Sequence, residues 1–72
     1  RLQEFLQARH LALPIYTVLE IGGDPHHPVF RVDCSVQALA LSKIGIAHNR
    51  RQAEQAAAML LLEILQKGES LL

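Results

Sequence analysis

Residues 48–61 read HNRRQAEQAAAMLL, and the rest of the chain is arranged around this stretch. From Ala53 to Lys67 there is no glycine or proline and most residues are strong helix formers, so the segment is helical. Asn49 is a good N-cap, Gln52 stands three residues on at the spacing of a capping box, and Gly68 supplies a terminator. The pattern predicts a helix over roughly 50–67. Its main apolar stripe is read as Ala53, Ala56, Ala57, Leu60 and Ile64, with Met59 and Leu62 falling off it. The small residues at the front let the helix lie close on whatever it covers. Arg50 and Arg51 occupy the first turn, where the macrodipole is already positive, at a cost of some tenths of a kcal/mol for exposed groups. Free N–H groups and two guanidinium heads together form an anion site, and phosphate is the anion such helix ends commonly hold. Two merely solvated arginines are the plain alternative.

Working back from this helix, KIGIAH (43–48) reads as a strand weakened by Gly45. Before it, Phe30, Val32, Cys34 and Val36 alternate strictly with Arg31, Asp33 and Ser35, the signature of a half-buried strand. IYTVLEI (15–21) is rich in β-branched and aromatic residues and stops at Gly22 and Gly23, so GGDPHHP is expected as a loop. Leu2, Phe5 and Leu6 form one stripe of a short helix over 2–9, which ends before Pro14 and leaves Gln3 and Gln7 on a shared exposed face. The order α-β-β-β-α predicts an α+β two-layer sandwich: a three-stranded antiparallel sheet with both helices packed on one face and solvent on the other.

The chain has 72 residues, half of them apolar, enough for one domain with a modest core. It opens on Arg1, already inside an amphipathic pattern, and is expected to be a piece of a longer protein. Seven Lys and Arg balance seven Asp and Glu, so no global field draws the domain to nucleic acid or to an anionic membrane, and any anion site is local. A single cysteine, Cys34, excludes an internal disulfide and fits a reducing compartment, with the cytoplasm as default. No secretory leader and no apolar run of about 18 residues is present, so no membrane span is expected.

His26 and His27 are neighbours, but with only His10, His48, Asp24 and a strand-buried Cys34 beside them no four-ligand set has zinc spacing, and no metal is expected. The acidic residues are scattered, whereas metal-assisted phosphodiester hydrolysis needs clustered carboxylates. No catalytic residue is therefore assigned. Tyr16 is read as core, since one aromatic is too few for a base-stacking platform.

RRQAEQAAA (50–58) resembles the last-helix signature of the double-stranded-RNA-binding domain family, whose usual form is two basic residues, any residue, Ala, a third basic residue, a polar residue and Ala-Ala. LQEFLQ with LPIY is similar to the family's first helix and entry to strand one, and GDPH followed by Phe30 is similar to its Gly-Pro-x-His loop and strand-two aromatic. The likeness covers nearly all of 1–72, and LQE, RHLALPIY and RRQAEQAAA together resemble most the C-terminal domain of bacterial ribonuclease III.

The resemblance implies RNA-binding positions at Gln3 and Gln7 in one minor groove, His26 in the next, and Arg50 and Arg51 on phosphates across the major groove between them. Glu4, Pro25, His27, His48, Asn49 and Glu54 are secondary candidates. It also implies a parent endoribonuclease whose magnesium-binding nuclease domain lies outside these residues and through which the parent is a homodimer, with no cofactor in the present domain. Double-stranded RNA is then the partner, recognised by shape through 2'-hydroxyl and phosphate contacts, because the A-form major groove is too deep and narrow to be read.

Two departures bear on this. Asp24 stands where the family has Pro after Gly, with Pro25 one place later, which tilts the loop carrying His26. Glu54 replaces the third basic residue and repels phosphate if it faces the groove, which argues for weaker binding. His26 is either a hydrogen-bond partner for ribose or an inert loop residue. The neutral balance and the apolar excess of the last helix keep open a second reading, a protein interaction or dimerisation module with RNA binding weakened or lost.

Overall fold

A computed structural model describes residues 1–70, with side chains described to Gly68. The elements are helix α1 (Leu2–Ala8), strand β1 (Ile15–Asp24), strand β2 (His27–Val36), a 3-10 turn (Gln37–Leu39), strand β3 (Leu41–Ala47) and helix α2 (Arg50–Ser70). The three strands form one antiparallel sheet in the order β1-β2-β3, with the helices on one face. The expected α-β-β-β-α sandwich is the fold observed.

α1 stops one residue before the expected boundary, and its end is set locally. His10 takes a left-handed φ of 59°. Its N–H donates to the Gln7 carbonyl at 3.0 Å, and the Leu11 N–H donates to the Leu6 carbonyl at 2.9 Å. These are the paired bonds of a Schellman motif, with His10 where glycine usually stands. Leu11 then packs on the core, the apolar contact that commonly accompanies this ending.

The stretch GGDPHHP is a tight hairpin and not the loop expected from its composition. Pairing continues through Gly22–Val29, Gly23–Pro28 and Asp24–His27, leaving only Pro25 and His26 unpaired. Asp24 Oδ1 accepts the His26 N–H at 2.8 Å and the His27 N–H at 3.1 Å, so the side chain closes the turn on itself. Gly23 has φ 80°, and a Cβ there would come within 2.5 Å of the His27 carbonyl oxygen, so glycine is required at this position.

In β2, Val32, Cys34 and Val36 are buried and the intervening residues are not, as the alternation required. β3 runs over 41–47, two residues earlier at its start than expected, and His48 lies just beyond it. Gly45 looks like a weak point in sequence. In the fold it is where α2 crosses the sheet: a Cβ on it would collide with the Ala53 carbonyl oxygen and the Ala57 amide nitrogen. Only a residue without a side chain lets the helix backbone sit that close.

The α2 stripe differs from the one expected. Ala53, Ala57, Leu61 and Leu62 are buried, whereas Leu60 is 43% and Ile64 38% exposed. The close approach at Gly45 fixes the roll of the helix about the Ala53–Ala57 edge, which turns Leu61 and Leu62 inward and leaves Met59 outside with Leu60 and Ile64. Leu2, Leu6, Cys34, Val36, Ala57, Leu61 and Leu62 form the continuous core. Gly68 does not end α2, which runs on to Ser70; an isolated helical glycine costs only about 1 kcal/mol relative to alanine. Partial cover by the terminal residues ESLL, the plain account of the helix's apolar excess, would involve side chains outside the described residues.

Candidate nucleic-acid interface

The start of α2 is fixed in three dimensions before any ligand arrives. Asn49 Oδ1 accepts the Gln52 N–H at 2.8 Å, giving the expected N-cap, although the return bond of a capping box from the Gln52 side chain is not made. Ala53, one turn in, is fully buried against Gly45. Arg50 and Arg51 therefore stand on a rigid base, and both are exposed.

Arg51 faces a polar cleft between the two helices, lined also by Gln3 of α1, Tyr16 of β1, and Glu54 and Gln55 of α2. Gln3 and Arg51, 48 positions apart, thus share one surface. Gln55 was not among the expected site residues, although its place four after Arg51, on the same helical face, is the signal that could have found it. Gln7 lies one turn along α1 from Gln3, exposed and outside this lining, with Glu4 exposed beside them.

Tyr16 is half-buried and serves two surfaces, packing on the core cluster and forming part of the cleft floor. Burial pushes its phenol up to about 12, with Cys34 and then Glu54 adding to the effect, so it is a neutral hydrogen-bonding group at ordinary pH. Burial likewise pushes the Cys34 thiol up, which makes it an inert core residue.

Arg50 is turned toward its own helix. Its Nε donates to Glu54 Oε2 at 3.0 Å, with Glu54 the less exposed partner at 28% against 61%. As an exposed i,i+4 pair this contributes only about 0.3–0.5 kcal/mol to stability. Its larger consequence is geometric, since it fixes where the guanidinium points.

His26 occupies the hairpin tip with Pro25, both exposed, and His27 is the first paired residue of β2. The structure thus brings Gln3, Arg51 and Glu54 together and sets His26 apart. The two places are nevertheless at related ends of the sheet. Ala47 pairs with Phe30, so β3 ends beside the base of the hairpin and α2 begins there. His48 ties them: its Nδ1 lies 3.1 Å from the Pro28 carbonyl oxygen. A carbonyl only accepts, so Nδ1 carries the proton. His48, a secondary candidate for RNA binding, is thereby engaged within the protein.

Among the described residues no group of three or more His, Cys, Asp or Glu side chains gathers where a metal ion could be held. No described helix is long and apolar enough to cross a membrane.

An arginine-bearing helix start, a glutamine-bearing helix beside it and a histidine-tipped hairpin beyond form a surface suited to a long polyanion with exposed hydroxyls. The family described as double-stranded RNA binding motif matches residues 1–65. The chain is also similar to a C-terminal part of bacterial proteins named Ribonuclease 3. The one from Actinobacillus succinogenes is 48% identical over 65 residues, which are 90% of this chain and 29% of that protein. The one from Vibrio vulnificus is 48% identical over 68 residues, 94% of this chain and 30% of that protein. The one from Vibrio campbellii is 50% identical over the same length and shares. The chain therefore spans less than a third of the length of these relatives. With fold, helix-start chemistry and the match over residues 1–65 in agreement, this chain belongs to the double-stranded RNA binding motif family.

Proposed function

We propose that this domain grips double-stranded RNA by shape and positions duplexes for an endoribonuclease of the ribonuclease III type, of which it is one part. The observation that carries this reading is the shared cleft of Gln3 and Arg51 at the capped start of α2. It sets a neutral hydrogen-bonding group, suited to a ribose 2'-hydroxyl, beside a cation suited to phosphate. A-form RNA presents these two chemistries at adjacent positions across its wide minor groove. His26, on a hairpin braced through His48, supplies a second hydrogen-bonding contact farther along the duplex. Arg50 and Arg51 bind phosphates between the two.

Within this reading the domain itself does no chemistry. Its carboxylates are dispersed, so phosphodiester cleavage and the magnesium ions it requires belong to a nuclease domain outside these residues, through which the parent dimerises. The setting proposed is the cytoplasm, where Cys34 stays reduced.

Titration of the chain with an RNA duplex and with a DNA duplex of the same sequence, followed by backbone amide shifts, tests the proposal. Shifts at residues 3–7, 26 and 50–54 with preference for RNA and little dependence on RNA sequence are expected; equal affinity for both duplexes would refute recognition by shape and 2'-hydroxyl. The log-log salt slope should correspond to about two to four phosphates. Met59, Leu60 and Ile64 remain exposed on α2. Shifts confined to them on dilution, without RNA response, would instead identify a contact between copies of the chain.

A further inference from the structure

Glu54 stands where a third cation would serve RNA, and its carboxylate is in place to repel phosphate. Its observed partner changes that expectation. Glu54 Oε2 accepts the Arg50 Nε–H at 3.0 Å from one turn deeper in the helix, and Glu54 is itself packed into the cleft beside Tyr16, less than half as exposed as the arginine it holds. A guanidinium has two useful hydrogen-bonding edges. The bond takes the Nε–H and leaves the two terminal amino groups, whose N–H donors fit the paired oxygens of a phosphate.

We infer that Glu54 is a positioning residue for RNA binding, holding Arg50 by its Nε edge so that its terminal amino groups meet the phosphate backbone already ordered. The inference rests on the RNA-binding reading above and goes beyond it, because it assigns an acidic residue a favourable part in binding a polyanion.

Two opposing magnitudes decide the sign. A long, rotamer-rich side chain immobilised only on binding weakens association by about three- to tenfold, and Glu54 removes much of that cost in advance. A carboxylate about 7 Å from a phosphate, across the guanidinium, weakens binding by less than about twofold in water at physiological salt. Ordering outweighs repulsion while solvent reaches the pair, and here Arg50 is 61% and Glu54 28% exposed.

The test is a double-mutant cycle, read by anisotropy on an RNA duplex of about 20 base pairs, longer than the span such a module covers. Glu54→Ala should weaken binding by about three- to tenfold. Glu54→Gln, which keeps an oxygen for the Nε–H and removes the charge, should retain most of the affinity. In an Arg50→Ala background neither change should matter, and helix content and melting temperature should be unchanged throughout. The Arg50 Nε–H resonance should lose its distinct shift in Glu54→Ala. If Ala and Gln both tighten binding, Glu54 is a brake and the inference is overturned; an unchanged affinity for Glu54→Ala, or an equal loss in the Arg50→Ala background, overturns it too. Failure of the unmodified chain to bind duplex RNA would be a different result: it would overturn the proposed function itself, and this inference with it.

Discussion

The start of α2 and the tip of the β1–β2 hairpin lie at the same end of the sheet and are held by different physics. The helix start is fastened by burial. Ala53 and Ala57 press their backbone on Gly45, so the positions of Arg50 and Arg51 are set by the core. The hairpin tip has no buried residue and is fastened by hydrogen bonds within four residues, donated by the His26 and His27 amides to Asp24 Oδ1. The His48–Pro28 bond links its base to the residues that lead into α2. One region therefore inherits the global stability of the domain, while the other can open locally without unfolding it. Under the proposed function, a duplex gripped at both would meet a fixed phosphate clamp and an adjustable minor-groove probe.

The comparison breaks most visibly at Gly45. Gly45→Ala drives a methyl into the α2 backbone and should cost about 3 kcal/mol. A thermal melt should then fall by more than about 10 °C, with RNA binding at both regions lost together. A melt within a few degrees of the parent would show that α2 does not depend on that approach.

Next in size, and confined to binding, is the pair of arginines. Replacing Arg50 and Arg51 with alanine removes two charge-assisted contacts and should weaken duplex binding by about 2–3 kcal/mol. The melting temperature should stay level or rise slightly as like charges leave a positive helix end, offset in part by loss of the Arg50–Glu54 pair. Lower stability with undiminished binding would mean the arginines are structural.

On the hairpin side, Asp24→Ala removes the acceptor for two turn amides and should cost about 1 kcal/mol. The comparison requires the cost to appear as faster amide exchange at residues 23–28, with α2 protection unchanged; a uniform loss across the domain would contradict it.

The cleft floor offers a pH test of similar size. The folded chain holds the Tyr16 proton more tightly than an unfolded one, so the associated stability is complete below pH 10 and is lost as the pH rises toward about 12. The loss should be on the order of 1 kcal/mol after discounting for solvent screening, and smaller in Tyr16→Phe. Equal alkaline curves for the two proteins would place Tyr16 in a solvated setting.

The smallest effect is expected at the link. His48→Ala should leave the melt unaltered and weaken RNA binding by about 0.5 kcal/mol, through looser spacing between hairpin and helix. A loss as large as that of an arginine would make His48 a direct RNA contact.

Local signals in the chain account for much of this architecture. The alternation at residues 30–36 fixes which side of β2 is buried, because side chains on a strand point alternately to opposite faces whatever the neighbours do. Asn49 fixes where α2 starts, since its side chain meets the amide three residues on without help from elsewhere. The arginine pair was legible as a candidate anion site and the glutamines as a shared exposed face for the same reason, whereas the glutamines as RNA contacts are what the family resemblance implies. Where local cues misled, the competing force was non-local or hidden in a side chain. GGDPHHP reads as a loop by composition, yet strand pairing runs through its glycines because Asp24 closes the turn in two residues. Gly68 reads as a terminator, yet α2 passes through it.

The sequence by itself determined the order of elements, the buried face of β2, the helix cap and the chemistry available at each surface, all of which depend on neighbours a few residues apart. Only the tertiary structure decided the roll of α2, because that angle is set where its backbone meets Gly45 and not by the sum of its apolar side chains. From that roll follow the burial of Leu61 and Leu62, the exposure of Leu60 and Ile64, the meeting of Gln3 with Arg51, and the placement of Glu54 in the cleft between them. These are contacts between residues far apart in the chain, and no periodicity within one element encodes the angle at which another crosses it.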